Sequence, residues 1–218
     1  MTQMARALQQ QASGSRRQLA SEERRQAILR AGLEVFAARG FAAARLEDVA
    51  EKAGVAKGTI YLFFRDKEDL FEQIVLGAVS PVLALVGAVA ADPEAPTDVI
   101  LGRLFDLFRA EVLGTWRHQV VRLVISEGPR FPAIAEFYHR EVISKGLGII
   151  RNLAQRALAR GELKSAALTR FPQLAFAPLL LALIWEGLFS SIEPLDVDGL
   201  LATHRELLFS AAVPSVPA

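Results

Sequence analysis

The chain contains no cysteine, which excludes a disulfide scaffold, a thiolate-bound metal and a cysteine nucleophile. Histidine is nearly as scarce. His118, His139 and His204 form neither HxxxH nor HExxH, so no metal spacing is present. A phosphate-cradling P-loop and a GxSxG elbow are also missing. The sequence therefore points away from an enzyme and implies no cofactor or metal. Charge of one sign is lacking too: 25 Lys and Arg face 24 Asp and Glu. Bulk attraction alone does not make this chain bind nucleic acid. Residues 1–20 lack the apolar core of a secretory signal and read as a flexible polar tail. These absences fit a reducing cytoplasm.

What is present is apolar mass, 52% of 218 residues, enough to bury a core and too much for disorder. The apolar residues recur at helical spacing, and no run alternates long enough for a strand. A helix is expected at about 21–39, with Ser21 as N-cap, Leu29, Gly32, Leu33 and Phe36 on one face, and Gly40 at its C-terminal stop. Further helices are expected at about 46–53 and from 56 or 57 to 63 or 64. Asp66 should cap a fourth helix that runs towards Val89 with a kink near Pro81. Beyond the break at Asp92–Pro96 the pattern continues at about 97–113, 116–127, 132–160, 171–192 and 196–212. The expectation is an all-α fold of about nine helices. Its parts are the tail (1–20), a three-helix head (21–66) and a helical body (67–218).

Charge differs between these parts. Residues 1–70 carry 12 Lys and Arg against 9 Asp and Glu, and the remainder 13 against 15. A mildly basic first third thus precedes a mildly acidic, very apolar remainder. The nineteen uncharged residues Gln73–Ala91 approach the ~20 that span a bilayer. They include Gly77, Pro81 and Gly87 and lack a flanking belt, so a buried helix is favoured over a membrane span.

Residues 46–64 combine a short helix, a glycine-centred turn and a second short helix, the pattern of a helix-turn-helix. Ala50 is small where the second helix must cross closely. Gly54 suits a turn with positive φ, and Val55 follows it. Ile60 and Phe64 form the stripe to be buried, leaving the opposite stripe for the major groove.

The run Ala53–Phe71, preceded by Ala31–Phe41, resembles the DNA-binding head of the TetR/AcrR family of transcriptional repressors. The likeness joins Phe36, Gly40, Phe41, Ala50, Gly54, Thr59, Tyr61, Phe64 and Lys67; residues 126–140 resemble the C-terminal domain of one subgroup. It implies DNA contacts from Lys57, Gly58 and Thr59, and phosphate contacts from Tyr61 and Lys67. Two usual caps are replaced, by Ala44 before the second helix and Ala56 before the third. Arg45 suits a phosphate, while Leu62 and Phe63 occupy positions often polar in relatives and suit thymine methyls or sugars.

The resemblance also implies a ligand-binding and dimerising body, in which a small apolar effector releases a repressor from DNA. Candidate effector contacts are Phe105, Phe108, Trp116, His118, Arg122, Phe137, Tyr138 and Trp185, with His139 and Glu186 as further polar anchors. A homodimer on a palindromic operator is expected, paired through 171–192 and 196–212, where Leu183 and Leu208 belong to apolar surfaces wider than one stripe. Two alternatives stay open: a helical carrier of hydrophobic molecules with a non-functional head, and a membrane-associated protein.

Overall fold

The computed structural model describes the backbone of residues 2–209 and the side chains of residues 18–209. Its helices are α1 (Thr2–Ala43), α2 (Leu46–Lys52), α3 (Lys57–Ile60), α4 (Lys67–Ala90), α5 (Thr97–Phe108), α6 (Arg117–Glu127), α7 (Pro132–Tyr138), α8 (Ser144–Ala159), α9 (Ala167–Arg170), α10 (Ala177–Leu188) and α11 (Val197–Leu208). Wider π-helical turns extend α5 through Arg109–Leu113 and join α7 to α8 through His139–Ile143. Among the described residues no strand occurs beyond an isolated bridge between Leu163 and Phe209. The all-α architecture is therefore as expected.

Several boundaries differ from the sequence expectation. Helix α1 starts at Thr2, not Ser21, because residues 2–20 are rich in Ala, Gln, Leu and Arg and contain no proline. Gly40 still ends the regular run, with φ 73° inside the span that continues to Ala43. The third helix closes at Ile60 and Tyr61–Phe63 form a turn. The expected helix at 171–192 is broken. Pro172 opens a separate 3-10 turn, Pro172–Ala175, and Pro178 lies in the first turn of the shorter α10. Helix α11 ends at Leu208, and the stretch expected to extend it from 210 to 212 lies outside the described residues.

The chain divides into two compact units. The first comprises residues 1–77 with 122–134, and the second 78–121 with 135–218. The division lies beyond the expected 66/67 boundary because the start of α4 is apolar on the side that meets α1. Leu70, Phe71, Ile74 and Val75 are all buried. A Cβ on Gly32 of α1 would come within 3.0 Å of Leu70 and 3.1 Å of Ile74, so the two helices approach closely there. Phe41 is the hub of this core, with ring centres 5.3 Å from Phe36, 5.9 Å from Phe71 and 5.1 Å from Phe131.

In the second unit, α5, α8, α10 and α11 enclose Ile100, Leu101, Leu104, Phe105, Ile150, Leu153, Ala154, Leu179, Leu201 and Phe209. The Asp92–Pro96 loop is pinned by its own carboxylate and by α8. Asp92 Oδ1 accepts from Glu94 N and Ala95 N, both at 3.1 Å, and these bonds hold the Asp92 carboxyl below its usual pKa. Arg156 donates to Asp92 O at 2.9 Å and Arg160 to Pro93 O at 2.6 Å. Helix α4 is long and apolar enough to cross a membrane, the only such helix among the described residues.

Candidate DNA interface

The helix-turn-helix is built by local chemistry. Asp48, in the first turn of α2, accepts from Arg45 N at 3.3 Å and from Arg39 at 2.7 Å, tying α2 to α1. The residue at the N-cap of α2 is Arg45; Ala44 is buried and makes no cap. The turn to α3 needs a left-handed residue, and Gly54 supplies it with φ 68°. Val55 N then closes the turn on Ala50 O at 3.0 Å. Helix α3 starts at Ala56 with no side-chain cap. It is anchored by Ile60 and, past its end, Phe64, both almost fully buried. At the start of α4, Asp66 Oδ1 accepts from Asp69 N at 2.7 Å, as expected of a cap.

Burial of Ile60 and Phe64 turns the other side of this segment outwards. Lys57 and Gly58 are exposed and Thr59 is half-buried. Tyr61 is 48% exposed and Leu62 82% exposed, the latter unusual for leucine. Phe63 is half-buried, stacking at 6.3 Å from Phe64, and Arg45 is exposed at the N-terminus of α2. Seven of the eight residues singled out in the head thus reach solvent around α2 and α3.

Lys67 is placed differently. Its ammonium donates to Phe41 O at 2.9 Å and Ala42 O at 3.2 Å and lies 4.7 Å from the Phe41 ring centre. These contacts tie α4 to the end of α1 and leave the lysine half-buried. Sequence reasoning also missed Glu47. Its Oε1 takes Lys57 Nζ at 2.8 Å and Tyr61 Oη at 3.1 Å. The Lys57 hydrogen bond leads the effects that lower the Glu47 pKa to about 2, with the backbone and Tyr61 adding to it. No linear spacing between residues 47, 57 and 61 announces this cluster.

None of the eight effector candidates lines the cleft found in the second unit. Arg122 belongs to the first unit and the other seven to the second. Phe105 is core, and Phe108 packs on that core half-buried. Trp116 is exposed under the Arg117 guanidinium, and His118 Nδ1 meets Thr115 O at 2.5 Å. Phe137 is buried, and burial pushes the Tyr138 hydroxyl up to about 12. Trp185 Nε1 donates to Glu193 O at 2.7 Å. An open cleft of about 580 Å³ in the second unit is lined instead by Asp106, Arg109, Ala110, Leu113, Gly114, Ala182, Glu186 and Val197. Of the residues weighed from sequence, Glu186 alone lines it.

Comparison with known proteins agrees with the geometry of the head. Residues 28–74 match the bacterial regulatory proteins of the tetR family. The chain is 32% identical over 152 residues to the HTH-type transcriptional repressor BepR of Brucella suis, covering 66% of this chain and 70% of that protein. Among solved structures, NalD, the secondary repressor of the MexAB-OprM multidrug efflux pump in Pseudomonas aeruginosa, superposes with a TM-score of 0.70 at 22% identity, over 87% of this chain and 98% of its own. The Bacillus subtilis regulator FadR, solved in complex with stearoyl-CoA, gives 0.61 at 20% identity over 84% and 96%. With its helix-turn-helix in place and its reading face exposed, the chain belongs to the TetR family and is a DNA-binding transcriptional regulator.

Proposed function

We propose that this regulator is a repressor, released from its operator by a small effector with an apolar portion, and that it acts in the cytoplasm as a homodimer. The observation that carries the reading is the outward stripe of exposed Lys57, Gly58, Tyr61 and Leu62 with half-buried Thr59, held outwards by buried Ile60 and Phe64. One such stripe reads one half-site, so a two-fold dimer fits a palindrome with half-sites about 34–36 Å apart or a multiple of it. The name of the Brucella relative supports repression, and a structure of this fold holding stearoyl-CoA supports an effector with an apolar chain. The open cleft has apolar walls in Leu113, Ala182 and Val197 and charges in Asp106, Arg109 and Glu186. An effector releases the repressor only through its differential affinity for the DNA-bound and DNA-free conformers.

The dimer surface is narrower than the apolar stretches suggest. Leu179, Ala182 and Leu183 are buried within the second unit, and Leu208 packs on its core. The outer stripe is Leu180, Leu181, Ile184 and Leu188 of α10 with Leu207 of α11, the last two 63% and 69% exposed. An apolar stripe of this extent favours a partner helix pair. The test is fluorescence anisotropy of the protein on a duplex from its own upstream region, titrated with fatty acyl-CoA and with hydrophobic amines. Tight, salt-sensitive binding that one of these ligand classes weakens supports the reading. Failure to prefer that duplex over random DNA removes the operator, and binding insensitive to both classes removes the apolar effector.

A further inference from the structure

From Arg39 to Lys67, every basic residue but Arg45 is already partnered within the protein. Six Lys and Arg lie between Arg39 and Lys67. Four hold carboxylates: Arg39 with Asp48 at 2.7 Å, Lys52 with Glu34 at 2.7 Å, Lys57 with Glu47 at 2.8 Å and Arg65 with Asp69 at 3.4 Å. Lys67 donates to backbone carbonyls, as described above. Each such pair weakens the pull of its cation on DNA, and non-specific affinity depends chiefly on cations meeting phosphates. Of these pairs, one stands within the reading face itself. A single oxygen of Glu47 collects both Lys57 and Tyr61, one cation and one hydroxyl, as a phosphate oxygen does when both groups contact DNA. Glu47 sits in the first turn of α2, where the positive end of the helix favours a carboxylate.

We propose that Glu47 is a specificity-determining residue: in the DNA-free protein its carboxylate stands in for a DNA phosphate, so Lys57 and Tyr61 engage DNA only by exchanging one anion for another. The proposal rests on the assignment of α3 as the reading helix. On random DNA the exchange returns little, because Lys57 gives up an ion pair to form an ion pair and the released Glu47 faces the phosphates with like charge. On the operator, base contacts by the neighbouring side chains add what the exchange lacks. The carboxylate therefore weakens non-specific binding more than specific binding, a selectivity obtained by penalising the wrong partner. The neutral, equally sized variant Glu47→Gln removes the penalty.

The experiment uses the full chain, a random-sequence duplex and a salt series read by fluorescence anisotropy. Glu47→Gln is expected to bind random DNA roughly five- to tenfold tighter at about 0.1 M salt, and the slope of log K against log salt steepens by about 0.9, one additional phosphate contact. In a Lys57→Met background the same substitution leaves the slope unchanged. Should Glu47→Gln fail to fold by circular dichroism, Glu47→Asp, whose shorter side chain draws the carboxylate back from Lys57, carries the same expectation of a steeper slope. Equal or weaker binding with an unchanged slope overturns the proposal, and so does a steepening that survives Lys57→Met. If the unaltered chain itself shows no salt-dependent DNA binding, the reading-helix assignment falls instead.

Discussion

Lys67 offers the sharpest separation between a structural and a DNA-contacting lysine. Its likeness to the phosphate-binding lysine of the TetR family implies a phosphate contact, yet its ammonium bonds Phe41 O at 2.9 Å and Ala42 O at 3.2 Å. Methionine at this position keeps the length and the apolar stem while removing the charge and the donors. A hydrogen bond from a charged group contributes about 1.5–3 kcal/mol. The bond to Ala42 is exposed, so water replaces much of it there; the bond to Phe41 is partly buried. Loss of the cation over the Phe41 ring, at 4.7 Å, adds about 0.5–1 kcal/mol. Lys67→Met should therefore destabilise the chain by about 2 kcal/mol in urea unfolding followed by circular dichroism. The salt slope for random DNA, measured where the variant remains folded, should not change. Stability within about 0.5 kcal/mol of the unaltered chain, together with a slope shallower by about 0.9, would refute this reasoning and restore the phosphate contact.

Three further outcomes follow from the same geometry. Ala56 is an exposed N-cap of α3 without a side-chain acceptor, so Ala56→Ser should stabilise by about 0.5–1 kcal/mol in the same unfolding assay without loss of DNA affinity. Ile184→Glu with Leu188→Glu places charge on the outer stripe of α10, and sedimentation should show helical monomers that lose tight operator binding; the same charge at buried Leu183 should unfold the second unit instead. The Glu47 carboxyl titrates at about 2, below its ordinary 4.5. A lowered folded-state pKa means its link to Lys57 contributes above the ordinary carboxylate range and is lost as pH falls through about 2. Side-chain carboxyl NMR should therefore find Glu47 ionised at pH 3.5, and a midpoint near 4.5 would contradict the clamp.

The sequence by itself determined the parts whose chemistry is local. Gly54 occupies the positive-φ turn, Gly40 ends the regular part of α1, and Asp66 and Asp196 each accept from a backbone N–H three residues on. Ile60 and Phe64 are both buried as their spacing led one to expect, although the helix closes at Ile60 and Phe64 lies past its end. The helix-turn-helix was readable because its turn glycine and its buried stripe fall within some twenty consecutive residues. Only the tertiary structure decided the rest. Lys67 meets carbonyls twenty-five and twenty-six residues away, and Glu47 meets Lys57 and Tyr61 across two helices. In the apolar run from Leu179 to Ile184, composition is nearly uniform, so nothing local distinguishes buried Leu183 from half-exposed Ile184. The lining of the cleft was not legible for the same reason: an aromatic at helical spacing serves a core and a pocket equally well, and the choice lies with whichever helix packs against it.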